Sequence, residues 1–137
     1  MPLMRVLLVE SNPADAYLTV EALKQAGLIE GVTVVDDSSK ALDHLHNDAA
    51  IPDLVLLDLH VAPLSGLDVL TQIRSDPRIG SVPVVVVSGS ENKDDVRKAY
   101  RQGANCYINK PAKLDDFLRF MKTCYEFWGT VVTLPPR

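Results

Sequence analysis

Four reactive side chains and one glycine stand within two residues of the ends of short apolar runs of the sequence, and together they suit phosphoryl chemistry. These positions are Glu10, Asp58, Ser88, Gly89 and Lys110. Asp58 could act as a nucleophile and form an acyl phosphate. Lys110 could pair with one phosphoryl oxygen, while the Ser88 hydroxyl and the Gly89 amide donate to others. This chemistry requires a fold that brings the ends of the runs together.

A divalent cation would complement this set of residues. Mg²⁺ takes oxygen ligands, few of them carboxylates, and keeps several of its waters. Glu10 and Asp58 could supply the two carboxylates. The side chains of Glu10, Asp58 and His60 could alternatively bind Zn²⁺ or Mn²⁺, although two carboxylates and one imidazole match a closed zinc site poorly.

The elements that must position these residues alternate regularly along the chain. Apolar runs of strand length are separated by segments of helical period, and they cover Met4–Val9, Val32–Val35, Leu54–Leu57, Val84–Val87 and Cys106–Ile108. Three of the runs are apolar throughout, which is typical of parallel strands covered on both faces. The alternation predicts an α/β fold with a flavodoxin-like, doubly wound, five-stranded parallel sheet of order 2-1-3-4-5 in three α/β/α layers. Ligands of such sheets bind at the carboxyl ends of the strands.

Five helices are predicted after the five runs, each marked by capping residues. The residues expected to start the first four helices are Asn12 (followed by Pro13), Ser39, Ser65, and either Asn92 or Ser90. Gly27, Asp76 and Gly103 are expected at helix ends. The last helix is expected over Leu114–Glu126. Tyr100 and Leu114 are predicted to face the core. Asp15 suits the positive end of the first helix and, one helical turn from the strand end, is not expected to take part in the site.

Length and charge narrow the class of protein. The chain has 137 residues, which fits one domain, and a net charge of −4, which argues against a dedicated nucleic-acid binder. No segment approaches the roughly 20 apolar residues of a membrane span, and the apolar run at the N-terminus is too short for a signal peptide. Cys106 and Cys124 form no metal-binding motif, so we expect free thiols and a cytoplasmic protein.

The chain resembles response-regulator receiver domains, the class that includes the chemotaxis response regulator. The resemblance lies in VLLVE-x-NPAD, in LVLLDL with Gly66 eight residues after Asp58, in VPVVVVSGS and in GANCYINKP, in matching order over residues 4–126. It implies that Asp58 is the phospho-acceptor and Lys110 the phosphate-contacting lysine. It also implies that Ser88 and Tyr107 form the switch and that the Lys110–Pro111 bond is cis.

Three positions depart from the family pattern. The family has two adjacent acids after the first strand, but Ser11 occupies the second place here and could hold the metal only through water. His60 stands where the family usually has Asn, and it would lend its backbone carbonyl to the metal. Ala62 occupies the usual proline position, and Pro63 follows it. We therefore expect a weakened Mg²⁺ site, with Mn²⁺ as a possible substitute.

Residues 127–137 extend beyond a minimal receiver domain of residues 4–126. The aromatic pair Phe127–Trp128, followed by V-x-L-P, resembles the tails of stand-alone regulators that partner bacterial phytochromes. The resemblance implies that the extension is a dimerisation arm, with Phe127 and Trp128 as interface anchors. The two aromatic residues could also fold back on their own domain.

Three functions compete at this point. The first is a single-domain response regulator that accepts a phosphoryl group from a histidine kinase on Asp58 and signals through a partner protein, with at most self-phosphorylation and autodephosphorylation as enzymatic activity. The second is a dimeric scaffold whose phosphorylation is impaired because Ser11 replaces an acid. The third is a phosphatase of the haloacid-dehalogenase type, but His60 stands where that class has a second Asp.

Overall fold

The computed structural model describes residues 3–27, 29–47 and 51–136, and within them five strands alternate with five α-helices. The strands are β1 (Met4–Val9), β2 (Ile29–Val35), β3 (Leu54–Leu57), β4 (Val84–Ser88) and β5 (Cys106–Asn109). The helices are α1 (Pro13–Ala26), α2 (Ser38–Asn47), α3 (Gly66–Ser75), α4 (Lys93–Arg101) and α5 (Leu114–Glu126), and a π-helical turn over Phe127–Val131 follows α5. None of the helices in these ranges is long and apolar enough to cross a membrane.

The sheet has the predicted parallel order β2-β1-β3-β4-β5. One core lies between the sheet and α1 and α5, and the other lies between the opposite face of the sheet and α2 and α3. The side chains of β3 and β4 are buried throughout, because both faces of the central strands are covered. The predicted fold class is confirmed, and the carboxyl ends of all five strands share one edge.

Helix α1 begins and ends as its sequence predicts. The Asn12 side chain accepts the N–H groups of Ala14 (2.9 Å) and Asp15 (3.1 Å), which caps the first turn directly after β1. Gly27 ends the helix in the left-handed region at φ 71°, where its N–H bonds the carbonyls of Leu23 and Lys24. The first turn of α1 is thereby held at the carboxyl edge of the sheet.

Three details of the helices differ from the prediction. Helix α2 already begins at Ser38, whose hydroxyl accepts the Leu64 N–H at 2.8 Å, so Ser39 is not its cap. Tyr100 is 49% exposed because its hydroxyl turns to the edge strand and accepts the Tyr107 N–H at 3.2 Å. Leu114 is 53% exposed because the buried face of α5 begins one turn later, at Phe117.

The C-terminal segment folds back on the domain. Trp128 is 8% exposed and belongs to the core that includes side chains of α1 and α5. Val132 and Leu134 pack against the same core. Phe127 meets the Trp128 ring edge-on at a centroid distance of 5.7 Å but is itself 49% exposed. Of the aromatic pair, only Phe127 therefore presents a substantial apolar surface to solvent.

Candidate functional site

The backbone at the carboxyl edge fixes the positions of the predicted site residues. The N–H of Glu10 donates to Val35 O at 3.0 Å, and the N–H of Asp58 donates to Val9 O at 3.0 Å. The N–H of Lys110 likewise donates to Ser88 O at 2.8 Å. These bonds continue the parallel ladder past the strand ends, so the residues that the sequence placed after separate runs lie side by side.

The Lys110 ammonium is the centre of the site. Its Nζ lies 2.7 Å from Glu10 Oε1, 2.9 Å from Asp15 Oδ2 and 3.1 Å from Asp58 Oδ2. A lysine ammonium has three N–H donors, and three carboxylates accept them here. The side chains of Glu10 and Asp58 are almost wholly buried, and that of Lys110 is 13% exposed. Water screens these ion pairs less than it screens pairs at the surface.

Asp15 is a member of the site that the sequence analysis did not place there, because its carboxylate lies 2.9 Å from the Lys110 ammonium. We expected it to act only at the start of α1, and that expectation is wrong. The cap at Asn12 turns the chain directly after β1, so the third residue of the helix lies over the strand end beside Lys110. An acid in the first turn of a helix that is separated from a site strand by only three residues is the signal that could have indicated it.

Backbone groups orient both acids that end the strands. Glu10 Oε2 accepts the Asn12 N–H at 3.2 Å, and Asp58 Oδ1 accepts the His60 N–H at 3.0 Å. Each carboxylate therefore presents its other oxygen to Lys110. Gly66 lets α3 start against this loop, since a Cβ there would lie 2.5 Å from Asp58 O. Asp58 Oδ2 thus faces the Lys110 ammonium at 3.1 Å, whereas Oδ1 is held by the backbone.

The two buried acids titrate very differently. The pKa of Glu10 is raised from 4.5 to about 7, chiefly by burial and next by the hydrogen bond with Asp58, while Lys110 opposes the change. Burial also disfavours ionised Asp58, but the hydrogen bonds from Glu10 and from the His60 backbone, with the charge of Lys110, lower its pKa overall. Burial would lower the pKa of Lys110, yet its hydrogen bonds to Glu10 and Asp15 raise it. The site holds more negative charge than one ammonium neutralises.

This donor set fits a hard divalent cation. Glu10 and Asp58 direct carboxylate oxygens at one cationic point, and their mutual repulsion is what a second positive charge would relieve. Residues 3–27, 29–47 and 51–136 contain no group of three or more His, Cys, Asp or Glu side chains arranged as metal ligands. Ser11 is exposed and lines a groove beside Glu10 with Asp36 and Lys40. A cation here would therefore depend on water and backbone oxygens as well.

A chain of hydrogen bonds joins the end of β4 to α4 and β5. Ser88 is fully buried, and its hydroxyl accepts the Ser90 N–H at 3.1 Å. The Ser90 carbonyl accepts the Tyr107 hydroxyl at 2.9 Å, and the Ser90 hydroxyl donates to Asp95 of α4 at 2.6 Å. Sequence reasoning named Ser88 and Tyr107 but missed Ser90, which connects them. Gly89 is exposed, and no atom of the described chain lies within 4 Å of where a Cβ would stand.

One expectation about the site backbone is wrong. The cis peptide bond in the described residues precedes Pro63, after Ala62, whereas the bond between Lys110 and Pro111 is trans. The two isomers of an X–Pro bond differ by only about 0.5–1 kcal/mol, so the surrounding structure decides between them and the sequence motif does not.

Many known proteins are similar to this chain in sequence or in fold. The sequence model of the response regulator receiver domain family matches residues 6–122 of this chain. Response regulator Rcp1 of Synechocystis sp. is 34% identical over 95% of this chain and 92% of its own. The phosphorylated cyanobacterial phytochrome response regulator RcpA superposes with a TM-score of 0.93 at 39% identity, over 98% of this chain and 99% of its own. The Mn²⁺-bound form of Rcp1 superposes with a TM-score of 0.92 at 33% identity, over 97% of this chain and 99% of its own.

Proposed function

Since the chain belongs to the response regulator receiver family, we propose that it is a single-domain response regulator that accepts a phosphoryl group from a histidine kinase on Asp58. The observation that carries the proposal is the position of Asp58 Oδ2, 3.1 Å from the Lys110 ammonium and beside the buried carboxylate of Glu10. A nucleophilic oxygen with a fixed cation next to it is what transfer of an anionic group requires.

The transfer makes one bond and breaks one. An oxygen of Asp58 attacks the phosphorus of a phosphohistidine, the P–N bond breaks, and its electron pair returns to the imidazole. Lys110 exchanges its contact with Asp58 Oδ2 for a contact with a phosphoryl oxygen and remains protonated. The Ser88 hydroxyl and the Gly89 N–H donate to the remaining oxygens, and the space around Gly89 leaves room for them.

Glu10 and Asp58 would hold Mg²⁺, with the His60 carbonyl as a further ligand and Ser11 acting through water. The metal supplies positive charge that offsets the charge on the phosphoryl group. Mn²⁺ is the plausible substitute, since the similar protein Rcp1 has a Mn²⁺-bound form. We expect Ser11→Asp to bind Mg²⁺ more tightly than wild type in an NMR titration. Equal affinities would contradict the role given to Ser11.

The signal leaves the site through Ser88 and Tyr107. If the Ser88 side chain turned to donate its hydroxyl to a phosphoryl oxygen, its hydrogen bond with the Ser90 N–H would break. The Ser90 carbonyl holds the Tyr107 hydroxyl, so this change would reach Tyr107. The face formed by α4, β5 and α5 would then change its affinity for a partner protein. Similarity to RcpA and Rcp1 over nearly the whole of both chains makes a phytochrome-type kinase the proposed donor.

We further propose a homodimer that uses the C-terminal arm. Phe127 lies on one wall of an apolar groove formed by β5 and α5, and Phe120 and Val131 add exposed apolar surface. Trp128 would contribute by fixing the arm from beneath, because it is buried in its own domain. Analytical ultracentrifugation should show weaker association for Phe127→Ser than for Tyr17→Ser, a control on the exposed side of α1. Equal association of the two variants would contradict the interface.

The test of the acceptor uses acetyl phosphate and Mg²⁺ with a phosphate-affinity gel. Wild type should show a shifted band that Asp58→Asn lacks and that Lys110→Ala reduces. Absence of the band from wild type would overturn the proposal. The scaffold alternative would then gain support if partner binding were also indifferent to Mg²⁺ and to Asp58→Asn.

A further inference from the structure

The three carboxylates around Lys110 differ in what phosphoryl transfer does to them. Asp58 carries the phosphoryl group, so its contact with the ammonium must change during the reaction. The contacts of Lys110 with Glu10 Oε1 (2.7 Å) and Asp15 Oδ2 (2.9 Å) can persist, because neither oxygen reacts. Two of the three donors of Lys110 are therefore available to hold the side chain in place throughout.

Asp15 reaches Lys110 from a different element than the other two acids. Glu10 directly follows β1 and Asp58 directly follows β3, whereas Asp15 lies in the first turn of α1. Its side chain is 27% exposed, against 3% for Glu10 and 6% for Asp58. Asp15 thus holds the ammonium from the more open side of the site. Ser11, the residue next to Glu10, brings no charge to this place.

We propose that Asp15 is a positioning residue for phosphoryl transfer, whose carboxylate forms with that of Glu10 a two-point anchor for Lys110. The anchor keeps the ammonium beside Asp58 while one contact passes from Asp58 Oδ2 to a phosphoryl oxygen. A lysine side chain has many rotamers, and a long flexible cation held by one acceptor is easily lost to water. This inference rests on the function proposed above but concerns a contact that exists before any phosphoryl group arrives.

The competing interpretation is that Asp15 only stabilises the start of α1, as acids in the first turn of a helix do. Asp68 provides a matched control, because it also stands in the first turn of its helix, α3, and is exposed. Asp68→Asn removes a favourable interaction with a helix end but leaves the three carboxylates around Lys110 in place. A purely helical role predicts similar consequences for Asp15→Asn and Asp68→Asn.

Hydrogen exchange of the Lys110 ammonium, read by ¹⁵N NMR without phosphate donor or metal, tests the anchor directly. Loss of one charge-assisted hydrogen bond from a partly exposed acid should speed exchange roughly tenfold in Asp15→Asn. Asp68→Asn should match wild type, and Asp15→Glu, which keeps the charge, should restore slow exchange. Equal exchange in Asp15→Asn, Asp68→Asn and wild type would overturn the proposal.

Phosphorylation by acetyl phosphate separates this inference from the proposed function. In Asp15→Asn the maximal rate constant should fall roughly tenfold without a rise in the donor concentration for half-maximal rate. A folding defect would instead reduce the phosphorylated fraction, and an unchanged rate constant would overturn the positioning role. If wild type shows slow exchange that depends on Asp15 but takes no phosphoryl group, the anchor stands and the proposed function fails.

Discussion

Glu10→Gln should change how the stability of the fold depends on pH. The pKa of Glu10 rises from 4.5 to about 7 in the folded chain. The folded state therefore binds more protons than the unfolded state between these values, and the free energy of unfolding falls as pH rises through the window. A pKa change of this size corresponds to about 3 kcal/mol in the free energy of unfolding. Glutamine has the same size, can accept from Lys110 and can donate to Asp58, but it does not ionise.

Urea denaturation followed by the fluorescence of the buried Trp128 measures this effect at pH 5 and pH 8, with a chelator present. From pH 5 to pH 8, the free energy of unfolding of Glu10→Gln should rise relative to that of wild type by on the order of 3 kcal/mol. The other groups titrate in both proteins, so their contributions cancel in the difference. Glu126→Gln, on the exposed side of α5, should show no such gain. A difference between Glu10→Gln and wild type that is the same at both pH values would refute the account of this pair.

Three further predictions concern the fold around the site. In urea denaturation, Gly66→Ala should lower the free energy of unfolding by about 2–4 kcal/mol, because its Cβ would lie 2.5 Å from Asp58 O. The control Gly31→Ala, whose Cβ would have no neighbour within 4 Å, should lower it by less than about 1 kcal/mol. Arg74→Ala should lower the free energy of unfolding by about 2–4 kcal/mol, because its partly buried guanidinium bonds three backbone carbonyls; equal thermal unfolding would contradict this. Burial raises the pKa of the Cys124 thiol to about 12, so at pH 8 a thiol reagent should modify it in urea but not in the native protein.

The sequence could predict the fold because the relevant signals are local. The bounds of β3 follow from a run that is apolar throughout, those of β1 from a run that is apolar except for Arg5, and the cap of α1 from Asn12–Pro13. The order of the strands was predicted from the flavodoxin-like arrangement that five alternating βα units in a doubly wound sheet favour. Tyr100 and Leu114 were misplaced because helical spacing alone does not tell where a helix stops contacting the sheet.

The site was only partly predictable for a different reason. Residues at strand ends converge in any parallel sheet, so Glu10, Asp58 and Lys110 could be grouped from the sequence. The contact of Asp15 with Lys110 depends on where the first turn of α1 settles over the edge, which no spacing rule states. Ser90 was missed because it acts largely through its backbone groups, and these carry no signal in residue type.

Reductive trapping tests most directly whether Asp58 is the phospho-acceptor. The protein is incubated with acetyl phosphate and Mg²⁺ and then treated with sodium borohydride, which reduces an aspartyl phosphate to homoserine and releases phosphate. Peptide mapping by mass spectrometry should then find homoserine at position 58 in wild type and at no acid of Asp58→Asn. Homoserine at Asp15 of wild type, 5-hydroxynorvaline (the corresponding reduction product of a glutamyl phosphate) at Glu10, or unmodified Asp58 under conditions that phosphorylate a known receiver domain, would contradict the account.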